Sequence, residues 1–452
     1  MGKLFGTDGI RGKANHYPMT PEMALRVGRA LSMGINRRGE TPPFIIIGKD
    51  TRISGDMLAM SLAAGAAASG VDVYLADVMP TPGVAYLTRT MKAARGVVIS
   101  ASHNPYEDNG IKIFNSDGYK LSDEEEVAIE AFVTEASPPD KSGESVPEPG
   151  VIRYLPEEAA SGYFRFLRGI CGETAPFAGL QVVVDCSHGA TCRIAPALFR
   201  DAGAETDPMS IVPDGRNIND GCGSEHPENL ARKVIEKKAD LGLAFDGDGD
   251  RLIAVDETGR VLSGDQLIAI FAEFMKQEGR LANNTVVTTV MSNVGLHSFL
   301  AERGIRHVMT DVGDRHVVKE LIHRGAILGG EDSGHMVFRD LHTTGDGILS
   351  AIHLLKIMKK SWQPLSLLSS AMRVYPQVLK NVRVKRKPPL ESLPEVAECI
   401  RQVEGELGEK GRVLVRYSGT QSLCRVMVEG PTVEESDAFC EKIVSVIKKS
   451  LA

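Results

Sequence analysis

Short apolar runs alternate along the chain with longer stretches whose apolar residues recur at helical spacing. Phe44–Ile47 is followed by helical spacing from Ser54 to Ser69, and Val71–Leu75 comes next. The alternation restarts at Leu180–Asp185 and again at Thr285–Val290. Strands that are apolar throughout and alternate with helices are typical of parallel sheets that helices cover on both faces. The pattern therefore predicts three related α/β domains with mixed or mostly parallel sheets.

The pattern changes after the second of two Pro-rich breaks, which lie at 134–150 and 385–394. Val413–Arg416 and Cys424–Glu429 predict paired strands with one polar face, and a closing helix begins near Val433. These elements indicate a smaller C-terminal α+β domain. The predicted domains are residues 1–150, 151–256, 257–370 and 371–452.

Composition limits the classes of partner. The 452 residues are 42% hydrophobic and 25% charged with a formal net charge of -7, so a broad basic surface for nucleic acid is not expected. The 7 cysteines are scattered without a Cys-x-x-Cys pair, which favours a reducing compartment over a disulfide framework or a zinc site. The N-terminus has no apolar signal segment, and no run reaches ~18 apolar residues. We therefore expect a cytoplasmic protein that does not span a membrane.

An acidic loop, Asp246-Gly-Asp-Gly-Asp-Arg251, directly follows the apolar run Leu241–Phe245. Alternating Asp and Gly let a tight turn direct three carboxylates at one hard cation, because Gly accepts the backbone angles that such a turn requires. An EF-hand calcium loop needs Gly at its sixth position, where this chain has Arg251, and the flanking segments are strands rather than helices. Magnesium held by Asp246, Asp248 and Asp250 is the favoured interpretation; a plain acidic turn is the alternative.

Ser102 lies in a polar loop at the end of the apolar run Val97–Ile99. A serine at a strand end often caps the next helix, but here His103 follows it and Lys112 lies just downstream. Phosphoryl transfer needs a nucleophile, neutralisation of charge and a group that handles protons, and this segment supplies candidates for each. Ser100 is a rival nucleophile; it should lie in the strand and share the face of Ser102. The loop position favours Ser102.

Three other polar turns have the composition of ligand sites. Arg416–Gln421 and the nearby Arg425 combine backbone donors, hydroxyls and arginines that suit a phosphate, although an ordinary hairpin turn is the alternative. Gly330–His335 places acceptors and a hydroxyl between glycines, which suits sugar hydroxyls, and His335 could transfer protons. Thr7–Gly12 presents Arg11 as a further phosphate or hydroxyl contact. Structural loops would explain the last two equally well.

Taken together, these loops resemble those of the α-D-phosphohexomutase superfamily, and most closely its bacterial glucosamine branch. The resemblance covers nearly the whole chain, and the combination is far more specific than any one loop. The matching segments, in order, are Thr7–Gly12, Ile99–Pro105, the glucosamine-type stretch Pro213–Gly223, Asp246–Arg251, Gly330–His335 and Arg416–Thr420.

The resemblance implies four domains around a central cleft and assigns roles to the candidates. Ser102 would be the phosphoserine, and an oxygen of its phosphate would join the three aspartates in holding one Mg²⁺. Lys112 and His335 would be the candidates for proton transfer, with Arg251 nearby. Glu331 and Ser333 would hold the sugar. The phosphate that does not react would be bound by Arg416, Ser418, Gly419 and Thr420.

The implied function is interconversion of glucosamine 6-phosphate and glucosamine 1-phosphate through a 1,6-bisphosphate, on the route to UDP-N-acetylglucosamine. The expected partner is a small phosphosugar, and a homodimer is the candidate assembly. A phosphomannomutase or phosphoglucomutase of the same superfamily is the nearest alternative, and a magnesium-dependent sugar phosphatase is a more distant one. Asp332 stands where the glucosamine branch typically has glutamine. Its carboxylate would either attract the substrate ammonium or point away and only shape the loop.

Overall fold

The computed structural model describes residues 4–6, 8–35, 43–135, 147–172, 174–417 and 422–451. The chain divides into two compact units, which are described separately. The first unit comprises Met1–Val290 and Val308–Ser369, and the second comprises Met291–His307 and Ser370–Ala452. No helix within the described ranges is long and apolar enough to cross a membrane.

The first sheet of the first unit has six strands in the order β1-β5-β4-β2-β3-β6. Strands β4, β2, β3 and β6 run parallel, whereas β5 is antiparallel to both β4 and β1. The strands are β1 (Ile10–Lys13), β2 (Phe44–Lys49), β3 (Asp72–Val78), β4 (Arg95–Ile99), β5 (Asp108–Phe114) and β6 (Ile152–Tyr154). The helices of this segment are α1 (Pro21–Leu31), α2 (Gly55–Ala68), α3 (Thr81–Thr90), α4 (Asp123–Thr134), α5 (Glu157–Ala160) and α6 (Gly162–Cys171).

Helices α1 and α2 approach each other so closely that glycine is required on both. A Cβ atom on Gly28 would lie 2.0 Å from the Leu62 carbonyl oxygen, and one on Gly65 would lie 2.0 Å from that of Leu25. This explains why Gly65 interrupts the alanine-rich stretch of α2. The helices and the sheet share one apolar core that includes buried Val27, Leu62, Ile47 and Val97.

The second sheet has five strands in the order β11-β10-β9-β7-β8. Strands β7, β8 and β9 are parallel, and β10 returns antiparallel to β9 and pairs with β11. The elements are β7 (Gln181–Asp185), α7 (Ile194–Asp201), β8 (Glu205–Met209), α8 (Glu228–Lys237), β9 (Leu241–Phe245), β10 (Leu252–Asp256) and β11 (Val261–Leu262). Every residue of β9 and β10 is buried, as their apolar sequences predict.

The third sheet has four strands in the order β13-β12-β14-β15, with β14 parallel to β12 and antiparallel to β15. Its segment contains α9 (Gly264–Gln277), β12 (Thr285–Thr289), α10 (Val294–Glu302), β13 (Arg306–Thr310), α11 (Asp314–Arg324), β14 (Leu328–Gly330), β15 (Met336–Phe338), α12 (Gly347–Ser361) and α13 (Leu365–Ser370). Helix α10 belongs to the second unit.

The second unit contains a three-stranded antiparallel sheet in the order β16-β18-β17. Its strands are β16 (Gln377–Arg383), β17 (Arg412–Tyr417) and β18 (Leu423–Glu429), and its helices are α14 (Pro394–Leu407) and α15 (Val433–Leu451). The apolar faces of both helices and the sheet form one core, which includes Val396, Val426 and Ile443. This is the small α+β fold that the sequence predicts for the C-terminus.

The predicted strands are present, and several bounds agree with the apolar runs to the residue, as for Leu241–Phe245. The first three sheets are mixed rather than mostly parallel, because each contains a strand that folds back antiparallel on its predecessor. Strand β5 follows β4 in this way, β10 follows β9, and β15 follows β14.

Candidate active site

The three hairpin loops at these reversals carry most of the predicted site. Ser102 lies between β4 and β5, the acidic loop joins β9 to β10, and the Gly330–His335 segment joins β14 to β15. All three loops belong to the first unit. The Ser102 hydroxyl donates to Asp246 Oδ2 at 2.5 Å, and Ser102 is 1% exposed. The structure therefore places the predicted nucleophile against the predicted metal loop.

The acidic loop fits a divalent cation by its donor set. Asp246, Asp248 and Asp250 are buried and offer carboxylate oxygens that all lie within 4.8 Å of one another. Asp248 Oδ1 is buried and has no hydrogen-bond partner, so one oxygen of the cluster is available to a cation. Burial raises the pKa of Asp246 well above its usual value, and the negative charges of Asp250 and Asp248 raise it further. A bound cation would relieve this repulsion.

Lys112 reaches the same carboxylates from β5. Its Nζ lies 2.7 Å from Asp248 Oδ2, 3.0 Å from Asp250 Oδ2 and 3.1 Å from Asp8 Oδ2, and the residue is 1% exposed. Burial lowers the pKa of Lys112, but the three carboxylates outweigh burial and hold it well above the usual value. In turn, Lys112 and His335 overcome the effect of burial on Asp250 and hold its pKa well below the usual range.

His335 and Arg251 form an isolated antiparallel bridge, which joins the third loop to the acidic loop. His335 Nδ1 lies 3.5 Å from Asp250 Oδ1, and Nε2 lies 3.5 Å from Asp314 Oδ2. Burial lowers the pKa of His335, but Asp250 and Asp314 outweigh it and raise the pKa to about 9. The Arg251 guanidinium contacts Glu225 Oε1 at 3.1 Å. Two candidate proton-transfer groups, His335 and Lys112, thus contact the same carboxylate.

The predicted sugar contacts lie in the third loop. They differ in whether their side chains already have hydrogen-bond partners within the protein. Glu331 Oε1 accepts a hydrogen bond from Gly313 N at 3.0 Å. The buried Ser333 hydroxyl has no hydrogen-bond partner. Asp332 Oδ1 accepts from Asp265 N at 3.5 Å, in the first turn of α9. Ser333 thus retains a free donor and acceptor for a ligand, whereas Asp332 interacts with a helix end.

Arg11 reaches the acidic loop indirectly. Its guanidinium pairs with Asp8, which also pairs with Lys112 and Lys120. Burial raises the pKa of Asp8, but Lys112, Lys120 and Arg11 outweigh burial and lower it well below the usual value. Thr7, the first residue of this turn, lies outside the described residues.

The predicted phosphate loop belongs to the second unit. Arg416 on β17 and Arg425 on β18 are opposite each other in the antiparallel register. Ser418, Gly419 and Thr420 lie outside the described residues. Two arginines are therefore brought together at the strand ends that flank the predicted loop.

Ser100 does not share the face of Ser102, so this expectation is wrong. Strand β4 ends at Ile99, and Ser102 has a left-handed backbone with φ of 55°. The Ser100 hydroxyl instead donates to Asp50 Oδ2 at 2.6 Å and accepts from Ser102 N at 2.9 Å.

His103 Nδ1 lies 3.4 Å from Ser102 Oγ. Burial lowers the pKa of His103, and the Arg251 charge lowers it further, to about 4.

Sequence reasoning missed Lys120, Asp314 and Thr81. Lys120 pairs with Asp8 and Asp314, and the Thr81 hydroxyl donates to Asp248 Oδ2 at 2.5 Å. Thr81 begins a helix three residues after the end of a strand, which was a usable signal. Lys120 and Asp314 have no local signal, because their importance depends on contacts between distant segments.

Four sequence profiles of the phosphoglucomutase/phosphomannomutase family match the chain in order. Alpha/beta/alpha domain I matches residues 2–140, domain II matches 161–259, domain III matches 263–375, and the C-terminal domain matches 379–446. The chain belongs to this family.

Among proteins of this family, the chain is similar to a phosphoglucosamine mutase of Syntrophus aciditrophicus (strain SB), with 53% identity over 453 residues that cover 100% of both chains. A solved phosphoglucomutase/phosphomannomutase family protein of Burkholderia thailandensis has a TM-score of 0.80 at 23% identity, covering 99% of this chain and 97% of that one. The N-acetylphosphoglucosamine mutase of Aspergillus fumigatus, solved with GlcNAc-6P and magnesium, has a TM-score of 0.70 at 16% identity, covering 99% and 96%. Both solved structures share the fold.

Proposed function

We propose that the chain interconverts glucosamine 6-phosphate and glucosamine 1-phosphate, and that Ser102 carries the transferred phosphoryl group. The observation that carries this proposal is the 2.5 Å contact between the Ser102 hydroxyl and Asp246 within a buried acidic cluster. The choice of a glucosamine phosphate is supported by the full-length relative at 53% identity.

The reaction would consist of two phosphoryl transfers in opposite directions. In the first transfer, the bond between phosphorus and Ser102 Oγ breaks as a bond forms between phosphorus and the oxygen of the free sugar hydroxyl. The proton of that hydroxyl passes to a base and finally to Ser102 Oγ. The resulting 1,6-bisphosphate turns over in the site. The second transfer returns the other phosphoryl group to Ser102, so no phosphate is lost to water and the enzyme is regenerated.

Asp246, Asp248 and Asp250, with an oxygen of the phosphorylated Ser102, would hold one Mg²⁺ in each site. Such a cation would neutralise charge that develops on the transferred phosphoryl group. The buried carboxylates and the unpartnered Asp248 oxygen support a hard cation with oxygen ligands. The protein's own residues would exclude water from this cluster, because Ser102 and all three aspartates are buried.

Lys112 and His335 are the proposed proton-transfer groups, and Arg251 is proposed to support them. Lys112 and His335 both contact Asp250, and Ser102 contacts Asp246 of the same cluster. This shared cluster supports a role for either group in exchanging a proton with the sugar hydroxyl. Glu331 and Ser333 are proposed to bind the sugar, and the unpartnered hydroxyl of Ser333 supports this role.

A separate phosphate site is proposed in the second unit at Arg416, Ser418, Gly419, Thr420 and Arg425. Arg11, in the first unit, is proposed as a phosphate or hydroxyl contact there. The reaction needs such a site because each phosphate of the bisphosphate must in turn be the one that does not react. The facing arginines of β17 and β18 support an anion site in the second unit. Three other expectations stay predictions. They are the domain boundaries at 1–150, 151–256, 257–370 and 371–452, the cytoplasmic location and the homodimer.

The test is intact-protein mass spectrometry combined with a substrate panel. Purified protein should show a satellite heavier by one phosphoryl group that is absent from Ser102→Ala, and this variant should lose nearly all turnover. Full activity of Ser102→Ala would refute the mechanism. Preference for glucose or mannose phosphate would indicate a phosphoglucomutase or phosphomannomutase, and stoichiometric release of inorganic phosphate would indicate a phosphatase.

A further inference from the structure

The main chain around Ser102 is held in an uncommon conformation by buried polar groups. Ser102 has a φ of 55°, a region that non-glycine residues enter only when their surroundings stabilise it. Its N–H donates to the Ser100 hydroxyl at 2.9 Å, and that hydroxyl donates to Asp50 at 2.6 Å. These contacts fix the amide side of Ser102 from within the first sheet.

Arg52 binds the carbonyl side of the same loop. The residue is 2% exposed, and its Nε pairs with Asp50 Oδ2 at 2.8 Å, so its charge is compensated. One terminal nitrogen donates to the carbonyl oxygens of Ser102 at 3.0 Å and Asn104 at 2.8 Å. Arg52 therefore ties the Ser102 loop to the end of β2, which belongs to the same sheet.

Asn219 donates to these two carbonyl oxygens from a different segment. Its Nδ2 lies 2.9 Å from the Ser102 oxygen and 3.0 Å from the Asn104 oxygen. Asn219 is 8% exposed and lies in Pro213–Gly223, the stretch between β8 and α8 that the proposed mechanism does not use. Its own N–H donates to Ser187 O at 2.9 Å, at the end of β7. The amide therefore joins the Ser102 loop to the second sheet.

The acidic loop packs directly against this junction. A Cβ atom on Gly247 would lie 2.6 Å from the Ser102 carbonyl oxygen and 3.0 Å from Asn219 Nδ2. Gly247 is preceded by Asp246, whose carboxylate accepts the Ser102 hydroxyl at 2.5 Å. The main chain of Ser102, the side chain of Asn219 and the acidic loop are thus in mutual contact.

We infer that Asn219 is a positioning residue, which holds the Ser102 main chain against the acidic loop so that Ser102 Oγ stays aligned with Asp246. Ser102 and Asp246 belong to different sheets, so their alignment depends on contacts between those sheets. Arg52 cannot supply such a contact, because it anchors Ser102 to its own sheet. This inference rests on the proposed role of Ser102 in phosphoryl transfer.

The test uses Asn219→Gly with Asn283→Gly as a matched control. Asn219 has a φ of 60° and Asn283 a φ of 54°, so glycine is compatible with the backbone at both positions. Asn283 Nδ2 also donates to two carbonyl oxygens, those of Arg324 at 2.8 Å and Gly325 at 3.3 Å, away from Ser102. Each variant removes a side-chain amide that donates to two carbonyl oxygens. Asn219 is buried and Asn283 is exposed, and only Asn219 touches the Ser102 loop. Asn219→Asp serves as a second variant that keeps the side-chain shape and loses the donor.

The first measurement is the rate of phosphoryl transfer from the phosphorylated enzyme to glucosamine phosphate in a single turnover. The rate constant of a single turnover does not depend on how much folded phosphoenzyme is present. Loss of folded protein lowers only the amplitude, which is compared with the phosphoserine content from intact mass. Small misplacements of reacting groups cost about 100-fold in rate. We expect Asn219→Gly and Asn219→Asp to lose about 10- to 100-fold in this rate, with KM within about twofold. Asn283→Gly should match the wild type.

The second measurement is backbone hydrogen exchange of the peptide that covers residues 100–108, without substrate. Exchange should become at least about tenfold faster in Asn219→Gly and not in Asn283→Gly. If either the transfer rate or the exchange rate of both Asn219 variants equals that of the control, the inference is overturned. If the wild-type phosphoenzyme transfers nothing to a sugar, the proposed function fails, and the exchange rates alone decide whether Asn219 holds Ser102.

Discussion

Replacement of Lys112 by methionine tests whether this lysine and a divalent cation neutralise the same carboxylates. Lys112 is 1% exposed and pairs with Asp248 at 2.7 Å, Asp250 at 3.0 Å and Asp8 at 3.1 Å. Methionine keeps the apolar stem of the side chain as far as Cε but lacks the charged Nζ. The buried aspartates of the metal-free protein would then lose their main counter-charge.

The size of the effect follows from burial. Removal of one partner from a buried ion pair costs about 3–5 kcal/mol, because it leaves an uncompensated charge away from water. We therefore expect Lys112→Met to lower the Tm in a chelating buffer by several °C. Mg²⁺ should restore part of this loss, because a ligand that binds only the folded state stabilises it by RT ln(1 + [L]/Kd). The rise in Tm caused by Mg²⁺ should be larger in the variant than in the wild type.

Lys49 provides the control for this experiment. Its Nζ also contacts two carboxylates, Asp56 and Asp77, each at 3.1 Å, but the side chains of these aspartates are 68% and 56% exposed. Exposed ion pairs contribute about 0–1 kcal/mol, so Lys49→Met should change the Tm little and leave its response to Mg²⁺ unchanged. The measurement is thermal unfolding of all three proteins with chelator and with Mg²⁺. Equal Mg²⁺ responses of Lys112→Met and the wild type would refute the reasoning.

Four further predictions concern the metal, the phosphate, the sugar and the packing. Asp248→Asn should require more Mg²⁺ for activity, and wild-type activity that survives exhaustive chelation would contradict the metal assignment. Arg416→Ala should raise KM about 10- to 100-fold, since a charge-assisted phosphate contact contributes roughly 1.5–3 kcal/mol; an unchanged KM would place the phosphate elsewhere. Asp332→Asn should leave the ratio of kcat/KM for glucosamine and glucose phosphates within about twofold, because its carboxylate interacts with the first turn of α9; a several-fold change would show a direct role in selectivity. Gly65→Ala should destabilise the protein by about 1–3 kcal/mol in denaturant unfolding, whereas Gly169→Ala, where nothing lies within 4 Å, should not.

The sequence alone was sufficient to predict the strands and helices and the chemistry that each single loop can support. Apolar runs such as Leu241–Phe245 are buried strands because hydrophobic burial acts along each segment locally. The acidic loop was recognisable because its glycines permit a tight turn and its alternating aspartates supply the carboxylates that such a turn brings together. Ser102 was recognisable because its position after an apolar run places it at a strand end.

Only the tertiary structure decided which of these groups meet. Lys112 reaches the aspartates because β5 is antiparallel to β4 and because the second sheet packs nearby, and neither fact is encoded in the residues around Lys112. The Ser100 hydroxyl donates to Asp50 and not to Asp246, the partner of the Ser102 hydroxyl, because the chain leaves the strand at Ile99 and enters a left-handed turn, which strand periodicity cannot anticipate.

The role inferred for Asn219 depends on tertiary structure altogether. Its partners, the carbonyl oxygens of Ser102 and Asn104, are more than one hundred residues away in sequence. A polar side chain in a loop looks the same in sequence whether it faces solvent or a buried carbonyl. The partner of such a side chain depends on how the sheets pack. A hydrogen bond requires the donor and the acceptor to lie within about 3 Å of each other, and the local sequence specifies only the donor.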